Sequence, residues 1–155
     1  MRLLVLCPCE RVIFDKRETP SLISLIQNMD VAFELTAEGQ KIDPKKIVFP
    51  KEWVLYSRWE SSGEDVGKIF EQTWQIHWPD GEKFAEHKMM LKPVTQGDNI
   101  NQSYVQLSGL PGQPGVIKIS TWLSHESQQV SEVFIVHVTL RHIPFPEGMT
   151  VVPAP

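Results

Sequence analysis

The stretch Val133-Phe134-Ile135-Val136-His137-Val138-Thr139-Leu140-Arg141-His142 decides the fold class. Its even positions are apolar through Leu140. Its odd positions mix Val133 and Ile135 with His137, Thr139 and Arg141. A period of two marks a strand with one face in the core. The same alternation sets Ile117, Ile119, Thr121 and Leu123 against Lys118, Ser120, Trp122 and Ser124. It sets Trp74, Ile76 and Trp78 against Thr73, Gln75 and His77. β-Branched and aromatic residues crowd all three segments, as strands favour. No stretch carries a helical stripe; the best helical candidate is a turn near Glu64–Gly67.

Working outward, strands are expected at 2–7, 11–15, 21–27, 30–36, 52–60, 68–78, 82–92, 103–108, 115–124 and 131–142. Turn residues separate them. Asp15 to Pro20 joins the second strand to the third, and the glycines and prolines of Gly109 to Gly115 exclude regular structure there. In Trp78-Pro79-Asp80-Gly81-Glu82, Pro fixes φ near −65° and Gly accepts a positive φ. This predicts a three-residue hairpin loop with a glycine bulge. Its register sets Trp78 opposite Glu82, His77 opposite Lys83, Ile76 opposite Phe84 and Thr73 opposite His87. Trp74, Ile76, Trp78 and Phe84 then share one face. The prolines after Ile143 predict a tail that leaves the sheet.

The expected architecture is therefore all-β: a single antiparallel β-sandwich, immunoglobulin-like or similar, with seven to ten strands. Residues 1–143 form the sandwich and 144–155 a Pro-rich extended tail.

Composition agrees. The chain has 155 residues, a one-domain length. Leu, Ile, Val and Phe number 46, about 30%, enough apolar surface for a core without metal or disulfide. A net charge of −4 argues against a dedicated nucleic-acid binder. No apolar run reaches the roughly 18 residues of a membrane span. The apolar start Leu3–Leu6 is shorter than a secretory core and meets Pro8, Glu10 and Arg11. It reads as a first strand, and the protein as cytoplasmic, in keeping with only two cysteines.

Catalytic patterns are missing. There is no Gly-x-Ser-x-Gly, Gly-x-Gly-x-x-Gly or Walker sequence. Cys7-Pro8-Cys9 has one intervening residue where zinc and redox motifs have two, and no second pair. It reads as two core thiols at a strand end, with Pro8 breaking the ladder. The hairpin register puts His77 and His87 on one face but roughly 13 Å apart, too far for one metal. His137 and His142 have opposite parity. The loop Gln96–Asn101 lacks the acids of a calcium site. No cofactor or metal is expected.

The five tryptophans are the most suggestive residues. Trp53, Trp59, Trp74 and Trp78 read as core. Trp122 sits among Lys118, Ser120 and Ser124, a polar face. It is the candidate binding aromatic, with Lys118 beside it. Val133 and Ile135 add an apolar patch on the outer side of the last strand.

Cys9-Glu10-Arg11-Val12-Ile13-Phe14-Asp15, with Thr19-Pro20-Ser21-Leu22-Ile23-Ser24-Leu25-Ile26-Gln27, resembles the opening of a family of small bacterial all-β proteins, a domain of unknown function. Trp59-Glu60, Phe70-Glu71-Gln72, Pro79-Asp80-Gly81 and Gly109–Gly115 fit its middle and end. The resemblance spans residues 1–142. It implies a sandwich-like fold and carries no functional residues. The functional expectation is a non-catalytic module that binds a protein partner, or a second copy, through a sheet face or edge. The alternative is a sandwich binding a sugar or small ligand through exposed aromatics.

Overall fold

The computed structural model describes residues 1–17, 19–33, 48–93 and 99–144. Pro144, expected to open the tail, still belongs to the last strand and pairs with Phe33; residues 145–155, the Gln96–Asp98 part of the polar loop and residues 34–36 lie outside the described residues. Among the described residues nine strands carry the fold: β1 (Arg2–Phe14), β2 (Pro20–Leu25), β3 (Asn28–Phe33), β5 (Trp53–Glu60), β6 (Phe70–His77), β7 (Lys83–Leu91), β8 (Ile100–Leu107), β10 (Gly115–His125) and β12 (Phe134–Pro144). Three two-residue strands complete it: β4 (Val48–Phe49), β9 (Leu110–Pro111) and β11 (Gln128–Gln129). The helical candidate is a single 3-10 turn at Gly63–Asp65.

Two sheets form a sandwich. One has four strands in the order β2-β1-β5-β8. The other has six: β3-β12-β10-β6-β7, with β11 beside β10. All long pairings are antiparallel except β3 with β12, which is parallel. The exception follows from the path of the chain, which leaves β2 in one sheet and crosses directly to β3 in the other.

The facing residues are those the period of two selects. Trp53, Leu55 and Leu107 from the smaller sheet pack against Trp74, Ile76, Ile117, Ile119, Val138 and Leu140 from the larger. Each large apolar side chain so buried contributes about 1.5–3 kcal/mol. Between this cluster and a second one around Trp59, Phe70 and Leu123 lies a buried polar band. The Gln72 amide donates to Ser57 Oγ (3.0 Å) and Thr121 Oγ1 (2.9 Å). Ser103 Oγ donates to Gln72 Oε1, Trp59 Nε1 to Ser57 Oγ, and Thr121 Oγ1 to the Thr73 carbonyl. Each of these groups has a partner, so the band costs little and ties one sheet to the other.

Three expectations need correction. Pro8 does not split the first strand: β1 runs unbroken and pairs Pro8 with Leu55. The Pro8 carbonyl accepts from Ile26 N–H, so its nitrogen also points toward β2, where that ladder ends, and no donor is missed. Around Gly81 (φ 92°) the hairpin closes as expected, with Trp78 N–H donating to the Glu82 carbonyl. But a bulge follows His77↔Lys83, and Phe84 takes the extra place. Ile76 then faces Ala85, Trp74 faces His87 and Thr73 faces Lys88. His87 therefore shares the inner side with Trp74, while His77 lies on the outer side with Thr73 and Gln75. Finally, Gly109 to Gly115 is not wholly irregular, because Leu110–Pro111 bridges to Val48–Phe49.

Candidate functional site

The two outer faces differ. On the smaller sheet, strand parity puts Cys7, Cys9, Val54 and Tyr56 outward. Yet Cys9 is 0% exposed, Tyr56 1% and Val54 8%. The β1–β2 hairpin covers them. β1 pairs with β5 only as far as Cys9 and with β2 from Cys9 to Phe14. Its free end curls back across the sheet, so Val12 and Leu22 pack on this cluster. At its tip the Phe14 ring lies 5.8 Å from that of Tyr104 on β8. The turn is tied by Asp15 Oδ1, which accepts from the N–H groups of Arg17 and Thr19. Burial, with the neighbouring Cys9, pushes the Cys7 thiol up to about 11, and burial raises Cys9 too. Neither is a ready nucleophile, because the thiolate is the reactive form.

On the larger sheet nothing among the described residues covers the outer face. β6 and β12 flank β10 there. Trp122 is half-buried, opposite Thr73, and Lys118 is exposed. Ile135 sits directly opposite Ser120, and Val133 immediately precedes β12. Val116, Val133 and Ile135 are 48%, 46% and 46% exposed. Of the four residues singled out from the sequence, Trp122, Lys118 and Ile135 lie on neighbouring strands of one face, and Val133 stands exposed just before β12. Trp53, Trp59 and Trp74 are fully buried, and Trp78 meets Phe84 edge-on at 5.0 Å.

Register adds two residues that sequence parity leaves scattered. His77, Lys118 and His137 are directly opposite one another on β6, β10 and β12. They form a row across the centre of the sheet. The other cations of this face are paired: Lys88 with Glu71 at 2.7 Å, Lys83 with Glu86 at 3.2 Å, and Arg141 with Asp30 at 2.8 Å. Lys118 has no carboxylate partner among the described residues. His77 Nδ1 is buried and lacks a hydrogen-bond partner.

The sheet edges divide likewise. β7 carries Lys83, Glu86 and Lys88, charges that discourage strand addition. β8 has none along Ile100–Leu107. At the end of the sandwich where β2 passes into β3, a hollow of about 530 Å³ is floored by Ile26, Met29 and Leu110. Glu10 and Lys51 close one side as an ion pair of 2.8 Å. That lysine, through its hydrogen bond and its charge, holds the Glu10 carboxyl below its ordinary value. The two charges satisfy each other, so the hollow presents no free charged group from this pair. Among the described residues no group of three or more His, Cys, Asp or Glu is arranged to hold a metal ion. No helix among them is long and apolar enough to cross a membrane.

No family model matches the chain, and no curated protein matches it. Among solved structures it is similar to an immunoglobulin-like protein from Pseudomonas aeruginosa, at 13% identity and a TM-score of 0.39. That match covers 90% of this chain and 95% of the other.

Proposed function

We propose that this protein is a non-catalytic interaction module that binds a protein partner through the outer face of its six-stranded sheet. The observation that carries the reading is the exposed apolar set Val116, Val133 and Ile135 beside Trp122, on a sheet whose counterpart face is covered by its own hairpin. Large exposed apolar groups gathered on one face mark association surfaces. A half-buried Trp supplies contact area at low entropic cost. A sugar site is less well supported. Thr73, directly opposite Trp122, and Ser120, two residues before it, are both buried and offer little to a glycan.

The test is capture from native lysate by the wild-type chain and by a Val133→Asp/Ile135→Asp double variant, with light scattering on both. Both positions are exposed, so the variant is expected to fold. The wild type should recover a defined partner and the double variant should lose it. A partner held equally by both would overturn the reading.

A further inference from the structure

We infer that the partner presents an acidic segment to this face. Its carboxylates are received by Lys118 between His77 and His137, and its apolar side chains by Val116, Ile135 and Trp122 on either side. The inference rests on the docking reading above and adds the chemistry of the occupant.

Residues directly opposite on neighbouring strands have Cβ atoms about 4.5–5.5 Å apart. The row His77–Lys118–His137 therefore gathers an ammonium and two imidazoles on three adjacent strands. The groups facing it are Gln75 on β6, Val116 and Ser120 on β10, Ile135 and Thr139 on β12, and Lys83 on β7. The nearest acid is Glu86, opposite Gln75, and its carboxylate is held by Gln75 and Lys83. Three ion pairs border the face and its centre is left cationic. Elsewhere this face gives each cation a carboxylate, and the whole chain is acidic at −4. Lys118 is the one formal cation of the row, and among the described residues no carboxylate is paired with it, so an acidic group on a partner finds an unpaired ammonium here.

The flanking residues select the source of the carboxylates. A two-fold pairing of this face about the row sets Lys118 against the Lys118 of a second copy and supplies it no carboxylate. A phosphate backbone satisfies Lys118 but leaves Val116 and Ile135 without apolar partners, and such binding draws on many cations. A peptide with acidic and apolar side chains in alternation matches both parts. Charge complementarity of this kind sets partner choice.

The experiment is an amide-shift titration of the full chain with two synthetic peptides, one alternating Glu and Val and the other Lys and Val. Each is run at low and high salt. The Glu peptide should shift the amides of 116–122 and 135–139, more weakly at high salt, and the Lys peptide should not. Lys118→Gln should weaken binding by up to about fivefold, the scale of one exposed charge pair. Lys118→Glu should reverse the preference, and His137→Gln should weaken it without disturbing the fold. Equal shifts from both peptides would overturn the acidic assignment while leaving an apolar docking face. No shift at this face with the Glu peptide would overturn it also, whatever the lysate capture shows.

Discussion

The two outer faces of this sandwich are built on the same alternation and end differently. The smaller sheet turns Cys9, Val54 and Tyr56 outward and then buries them under the curled end of its own β1–β2 hairpin. The larger sheet turns Val116, Ile135, Lys118 and His137 outward and leaves them exposed, with Trp122 and His77 half-buried among them. The first face buries its own outward residues within the chain, while the hairpin that covers them shows Ile13, Ile23 and Leu25 to solvent. The second leaves Val116, Ile135 and the ammonium of Lys118 without such a cover, and on that difference we propose a partner for it.

Matched substitutions should give the largest contrast. Tyr56 is buried on the covered face, and its hydroxyl donates to Gln102 at 2.7 Å. Tyr56→Ala should cost about 3–5 kcal/mol in urea unfolding, as large-to-small changes in cores do. Trp122→Ala, at a half-buried position, should cost about 1 kcal/mol, the centre of the range for single substitutions. Comparable losses at both positions would erase the distinction between the faces.

Opening the hairpin gives the next effect. At pH 8 a thiol raised to about 11 is ionised on the order of 100-fold less than one at the ordinary value of 9.0. Val12→Ser with Leu22→Ser should loosen the cover and speed labelling of Cys7 and Cys9 by an aromatic disulfide by about tenfold or more. Labelling in the wild type as fast as in the unfolded chain would show that the hairpin does not protect this face.

Acid should produce a smaller change, confined to the covered side. Asp65 joins the Gly63–Asp65 turn to the start of β1: its Oδ2 accepts from Ser62 and lies 3.0 Å from the Met1 amino group. Burial alone raises its carboxyl, but the Ser62 hydrogen bonds and the ammonium outweigh it and hold it below its ordinary value. A carboxyl lowered on folding binds fewer protons in the native state. Its contribution is present above the unfolded value near 4 and is lost as pH falls through the folded one. Asp65→Asn should remove that part of the acid limb in thermal unfolding. An unchanged limb would place the acid sensitivity elsewhere.

Much of this was legible in the sequence. Parity alone places Phe134, Val136, Val138 and Leu140 inward and Ile135 outward. It also marks Gln72, Thr121 and Ser57 as polar residues on inward positions, a sign that a buried polar band exists. What parity cannot supply is pairing. Lys118 lies between His77 and His137 only because three strands are in a particular register. The bulge at Phe84 moved His87 to the inner side, and a bulge is a main-chain event that side-chain alternation does not encode. The covered face was missed for a tertiary reason. Pro8 reads locally as a break, and only the end of the β2 ladder beside it lets β1 run on and curl over the sheet.

The most direct test of the central claim places a photo-crosslinking side chain at Ile135 on the bare face and, in a separate chain, at Gln106 on the side of the covered one. Both are irradiated in native lysate. The account predicts a discrete protein adduct from position 135 that Lys118→Glu diminishes, and none from position 106. An adduct from position 106 alone, or none from position 135, would contradict it.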